Sequence, residues 1–160
     1  DLQQTISIAL GRSKSGFSPS PQGTALPATP QGRSLRILLV EDSPDNQVLI
    51  QSYLKHTIHR VDLADNGQIG VAKFQNGHYD LILMDMQMPV MDGITATRTI
   101  RRWEQEQGLP AVQIIALTAL ALKEESARIF EAGCNAHMTK PLNRTTLLEL
   151  LLAYEKTRAQ

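Results

Sequence analysis

The chain is poor in several things that would commit it to a large class of proteins. It has one cysteine, Cys134, so neither an intrachain disulfide framework nor a cysteine-built metal site can form. That thiol reads as a small buried or half-buried side chain, with a reactive cysteine as the alternative. There is no surplus charge: 16 Lys and Arg balance 16 Asp and Glu. No electrostatic footprint for nucleic acid or an anionic membrane is left. No apolar stretch approaches the ~18 residues needed to span a bilayer. The longest, Leu147 to Ala153, is interrupted by Glu149. No repeat at a solenoid period and no signal peptide is visible. Because it begins at Asp1, the chain is expected to be a piece of something longer. What remains is 160 residues, 42% hydrophobic, enough for one domain with a real core and a tail.

The first 34 residues and the rest differ in kind. Ile6, Ile8 and Leu10 alternate like a strand, the end of an upstream domain or a chance pattern. Residues 11–34 are rich in Ser, Gly and Pro, including Pro19, Pro21, Pro27 and Pro30. Such a stretch buries too little to offset the entropy of ordering, so residues 1–34 read as a disordered linker. From Leu35 the pattern becomes strand, helix, strand. Apolar runs at 36–40, 60–64, 81–85, 112–117 and 137–139 predict five strands, the core ones buried on both faces. Helices are expected over 45–56, after Ser43-Pro44 as cap and first residue, and over 68–74, 93–106, 121–132 and 144–156. Asn66-Gly67 reads as a turn and Gly133 as a helix stop. Strict alternation predicts an α/β fold, a flavodoxin-like (βα)5 unit over 35–156 with residues 157–160 as a tail. Its five-stranded parallel sheet takes the order 2-1-3-4-5, with helices on both faces.

Polar groups gather where the apolar runs stop. The first strand runs into Glu41 and Asp42, the third ends in Asp85, the fourth in Thr118 and the fifth in Lys140. A single such residue is usually a helix cap. Four strand ends with complementary groups converge on the edge where open α/β sheets bind ligands. Three carboxylates there repel one another unless a cation sits among them, and an all-oxygen donor set favours a hard cation such as Mg²⁺. Lys140 can pair with Asp85 or with an incoming phosphoryl oxygen, and Thr118 can hydrogen-bond the same oxygens. A carboxylate nucleophile forming an aspartyl-phosphate is an established covalent chemistry. The pattern therefore points to Mg²⁺-dependent phosphorylation of Asp85.

Four motifs, Leu38-Leu39-Val40-Glu41-Asp42-Ser43-Pro44, Asp85-Met86-Gln87-Met88-Pro89-Val90-Met91-Asp92-Gly93, Ala116-Leu117-Thr118-Ala119 and Lys140-Pro141-Leu142, resemble the receiver domain of two-component response regulators. The resemblance covers about Leu35 to Tyr154. It implies that Asp85 accepts a phosphoryl group from a histidine kinase or histidine phosphotransfer protein. It implies Mg²⁺, with Mn²⁺ as a substitute, bound directly by Asp42 and Asp85, by Glu41 mainly through water, and by the backbone carbonyl of Gln87. It implies that Thr118 and Lys140 bind the phosphoryl group, that Lys140-Pro141 is cis, and that Ala119 and Leu120 belong to the switch loop. The Gln87 and Leu120 side chains stand where the family tunes phosphate lifetime. The family commonly has Tyr or Phe where this chain has His137; that residue is either the switch partner of Thr118 or an ordinary half-exposed strand histidine.

The resemblance further implies a phosphorelay receiver, the C-terminal receiver of a hybrid sensor histidine kinase, cytoplasmic, on a parent chain that is membrane-anchored. A stand-alone regulator and an unphosphorylated interaction module are the alternatives. An Asp-x-Asp phosphatase would need an aspartate where Gln87 stands. A nucleotide or flavin site would need a phosphate-cradling first loop, not Glu41-Asp42. The leucines at 147, 148, 150, 151 and 152 make the last helix apolar on more than one face, from core packing or from a partner or weak homodimer surface. His56, His59 and His78 read as structural or solvated.

Overall fold

The computed structural model describes residues 34–119 and 122–159, with side chains as far as Glu155. The segment expected as a linker and an upstream strand, up to residue 33, and Leu120 of the switch loop lie outside the described residues. Five strands and five helices alternate: β1 (Arg36–Val40), α1 (Pro44–Leu54), β2 (Arg60–Ala64), α2 (Gly67–Gln75), β3 (Leu81–Asp85), α3 (Gly93–Gln107), β4 (Gln113–Thr118), α4 (Lys123–Ala132), β5 (Ala136–Thr139) and α5 (Arg144–Ala159). All pairings are parallel and the order is β2-β1-β3-β4-β5. The expected topology is the observed one.

The period-2 alternation of side chains divides each central strand between two cores. Leu38, Val40, Ile82, Met84, Ile114 and Ala116 face α2 and α3. Ile37, Leu39, Leu81, Leu83, Ile115 and Leu117 face α1 and α5. Both faces are dry, which explains why these strands read as unbroken apolar runs. Ser43 caps α1 by accepting from the Asn46 amide, Asn66 caps α2 through Ile69, and Asp92 caps α3 through Thr95. Gly108, at φ +68°, ends α3 in the left-handed conformation.

Several element ends differ from expectation. Gly67 is the first residue of α2, not the second of a turn. A Cβ there would stand 2.5 Å from the Met91 carbonyl oxygen, so only glycine admits the close approach that the Gly67 N–H to Met91 O bond requires. The last helix continues to Ala159, three residues beyond its expected stop. Of its leucines, Leu147 and Leu151 are fully buried, Leu148 and Leu150 pack on the same core, and Leu152 stands half exposed. Core packing accounts for most of the apolar excess. Cys134 is buried, as expected of a small apolar side chain. His59 is structural: its Nδ1 accepts from the Leu35 amide and its Nε2 lies 3.0 Å from Glu155, pinning the start of β1 to α5. With Nδ1 accepting, Nε2 carries the proton and donates to the carboxylate.

Candidate functional site

The register of β1 and β3 sets the distance that matters. Val40 lies opposite Met84, so the next residues, Glu41 and Asp85, emerge side by side at the carboxyl edge. Strand order reverses between β1 and β3, and a crevice opens there. Glu41 is fully buried, Asp85 is 3% exposed and Asp42 faces solvent. The three carboxylates offer oxygens that all lie within 4.8 Å of one another.

Lys140 crosses this cluster from the end of β5. Its Nζ stands 3.0 Å from Glu41 Oε1 and 3.0 Å from Asp85 Oδ1. The approach to Glu41 is off the line of a hydrogen bond, which leaves Oε1 buried with no hydrogen-bond partner. The other oxygen, Oε2, accepts from the Ser43 amide. Asp85 Oδ1 also accepts from the Gln87 amide at 3.2 Å. The Lys140-Pro141 bond is cis, as expected, and Lys140 N donates to the Thr118 carbonyl at 2.8 Å, tying the ends of β4 and β5 together.

Burial pushes the Asp85 carboxyl up to about 6. The hydrogen bonds from Lys140 and the Gln87 amide and the ammonium charge oppose this, while the charge of Glu41 adds to it. Burial would lower Lys140, but its close pairing with Asp85 and Glu41 and their negative charges outweigh burial and hold its pKa above the ordinary value. One ammonium thus faces three carboxylates. A surplus of negative charge, an orphaned buried oxygen and a donor set made only of oxygens fit a hard divalent cation.

The loop after β3 holds Asp85 in place. Val90 has φ +71°, and the Met91 amide donates to the Pro89 carbonyl at 2.8 Å, which closes a three-residue γ-turn. A β-branched residue in this conformation is strained. The turn brings the Met91 carbonyl to Gly67 of α2. Gly93 then packs on the strand end. A Cβ on Gly93 would lie 2.3 Å from the Asp85 carbonyl oxygen and 2.8 Å from Met86 Cα. Both are backbone atoms and cannot turn aside. Gly93→Ala is expected to cost about 1–3 kcal/mol in urea denaturation and to shift the backbone that carries Asp85. An unchanged midpoint would refute the close packing.

The remaining predicted residues are distributed unevenly. Thr118 is 5% exposed at the end of β4, beside Leu117, the register partner of Asp85. Ala119 is exposed next to it. Gln87 meets the site through its backbone amide, which donates to Asp85 Oδ1. His137 is half buried and packs on α4: its ring lies edge-on to Phe130 with centroids 5.7 Å apart, and its Nε2 is 3.5 Å from Ser126 Oγ. Its Nδ1 is buried with no hydrogen-bond partner among the described residues. Sequence reasoning missed Gln47, whose Nε2 donates to the Glu41 carbonyl and to Asp65, bracing the first acidic loop. Its only signal was its place in the first turns of a helix that starts beside that loop.

An acidic, lysine-bridged crevice thus stands at the switch point of a flavodoxin-like sheet. The chain belongs to the response regulator receiver domain family, whose model matches residues 37–152. It is 45% identical over 117 residues to hybrid signal transduction histidine kinase M of Dictyostelium discoideum, covering 72% of this chain and 5% of that protein. The receiver domain of sensor histidine kinase PA1611 of Pseudomonas aeruginosa, with a magnesium ion coordinated in its active-site cleft, superposes with a TM-score of 0.69 at 40% identity, over 78% of this chain and 99% of that one. A chain of the co-crystal of the Saccharomyces cerevisiae histidine phosphotransfer protein Ypd1 with the receiver domain of Ssk1 matches with a TM-score of 0.77 at 32% identity, over 81% and 94%. The chain spans only 4% to 15% of the length of the curated histidine kinases it matches. Its role is that of a phosphorelay receiver. No described helix is long and apolar enough to cross a membrane.

Proposed function

We propose that Asp85 accepts a phosphoryl group from a phosphohistidine of a histidine kinase or histidine phosphotransfer protein. The observation that carries this is Lys140 Nζ, 3.0 Å from both a fully buried Glu41 and a nearly buried Asp85. With Oδ1 held by Lys140 and the Gln87 amide, Asp85 Oδ2 forms the new P–O bond while the P–N bond breaks. The electron pair of that bond leaves with the imidazole. Lys140 meets the charge on the transferred group, and the Thr118 hydroxyl binds one of its oxygens. Asp42, Asp85 and the Gln87 carbonyl would hold Mg²⁺, with Glu41 acting through water and Mn²⁺ able to replace it. The ion supplies charge neutralisation at the phosphoryl oxygens.

The added charge draws Thr118 and the neighbouring Ala119 inward. His137, packed on Phe130, passes that movement to α4. The receiver unit is residues 35–156, joined through the preceding linker to a hybrid histidine kinase whose receiver works in the cytoplasm. The co-crystallised Ssk1 receiver and the magnesium-bound PA1611 receiver support the partner class and the cation.

Incubation with phosphoramidate, a small P–N donor, tests the chemistry apart from any partner. Intact mass spectrometry is expected to show one added phosphoryl group with Mg²⁺ and none in excess EDTA. Uptake that ignores EDTA would overturn the metal requirement.

A further inference from the structure

Lys140 serves the site only if its ammonium spans two carboxylates at once, 3.0 Å from Glu41 and 3.0 Å from Asp85. The turn that carries it is tied down at two places. On the sheet side the Lys140 amide donates to the Thr118 carbonyl at 2.8 Å. Two residues further on, the Leu142 carbonyl accepts from the Tyr53 hydroxyl of α1 at 3.0 Å. That carbonyl stands outside the α5 ladder, whose opening bonds go to Asn143: Thr146 N donates to its Oδ1 and Leu147 N to its carbonyl.

Packing alone does not hold Lys140 in place. Between it and Glu41, Asn46, Leu49, Ile50 and Leu142 the protein keeps a chamber of about 10 Å³. A lysine on its flexible four-carbon stem is fixed in space only as well as the backbone that carries it. Tyr53 supplies a fixed point. The helix α1 begins just past Glu41 and Asp42, so one rigid element joins the acidic loop to the Leu142 carbonyl. Pro141, whose ring locks φ, joins Leu142 to Lys140. Glu41, before α1, and Lys140, after β5, are thus set against one another through one phenolic hydroxyl. The Tyr53 ring packs on the core between the sheet, α1 and α5, and a phenylalanine ring would pack there equally well. The bond to Leu142 is what the hydroxyl adds.

We propose that the Tyr53 hydroxyl is a positioning group of the phosphoryl site: by holding the Leu142 carbonyl it fixes the turn from which Lys140 reaches Glu41 and Asp85. It acts through Lys140, not on the phosphoryl group. Its effect on rate rests on the reading of Asp85 as the acceptor, whereas its effect on stability rests on the ion pairs alone. A charge clamp displaced by about an ångström loses much of its effect on rate.

A double-mutant cycle of Tyr53→Phe with Lys140→Ala, in the 160-residue chain, isolates this coupling. Read by phosphoramidate labelling with Mg²⁺, Tyr53→Phe alone is expected to slow uptake roughly five- to tenfold, less than loss of the ammonium itself. In the Lys140→Ala background the same change is expected to alter uptake by less than about twofold. The cycle is then read by urea denaturation without donor or metal. The drop in midpoint caused by Tyr53→Phe is expected to shrink by about half or more once Lys140 is gone. This second readout involves no phosphorylation, so it separates failure of this proposal from failure of Asp85 as the acceptor. Uptake by Tyr53→Phe at the wild-type rate would overturn the proposal. Equal losses in both backgrounds, in rate and in midpoint, would also overturn it, by showing a hydroxyl that steadies the fold without placing Lys140.

Discussion

Asp85→Asn abolishes phosphoryl uptake and makes the metal-free protein more stable than the wild type above about pH 6. The first half follows from removing the nucleophile. The second follows from burial. In the unfolded chain this carboxyl titrates near its ordinary value of 3.8, and in the fold at about 6. The folded state therefore binds the proton more tightly, and between those values the unfolded chain has ionised while the fold still holds its proton, so stability falls as the pH rises. Below 3.8 both forms are neutral and the two proteins differ little. Above about 6 the wild type carries the whole penalty, on the order of 1–3 kcal/mol at ~1.4 kcal/mol per pKa unit. The Asn oxygen still accepts from Lys140 and Gln87, and its amide can donate toward Glu41. Urea denaturation of both proteins from pH 4 to 8 without metal reads the gap directly. A gap that closes with rising pH would contradict the account. Saturating Mg²⁺ is expected to shrink it, because a cation favours the ionised carboxylate.

Lys140→Ala produces the second large effect, of opposite sign. Removing the ammonium leaves Glu41 and Asp85 buried at the crevice without their counter-charge. Breaking a buried ion pair from one side costs about 3–5 kcal/mol. Proton uptake by Asp85 relieves part of this at low pH, so the loss is expected to be larger at pH 8 than at pH 5. Mg²⁺ should recover part of it by mass action. Labelling by phosphoramidate is expected to slow by about 10²- to 10³-fold, the scale of losing one charge-stabilising donor. The same stability at pH 8 for wild type and variant would show that the clamp holds nothing.

The sheet order and the four strand-end motifs could be read from the sequence because both are local. An apolar run that stops at a carboxylate announces itself, and strict alternation leaves few topologies. Glu41, Asp42, Asp85 and Lys140 were found this way, and the structure brings them into contact. What stayed hidden depends on approach between distant segments. Gly67 reads as a turn residue until the Met91 carbonyl is seen against it. His59 reads as one more loop histidine until Glu155 arrives from the far end of the chain. Gln47 gains its meaning only from Asp65 and the Glu41 carbonyl. His137 departs from the usual aromatic ring in sequence, and the structure adds where it leans, against Phe130.

The central claim is that Asp85 is the residue modified. Borohydride reduction of the phosphorylated chain converts an acyl phosphate to an alcohol at the modified residue, and peptide mass analysis then locates it. The account predicts a single reduced site at Asp85 that appears only when Mg²⁺ was present during labelling. Reduction at Glu41, Asp42 or Asp92, or a phosphoryl group that resists borohydride and maps to a serine or threonine, would contradict it.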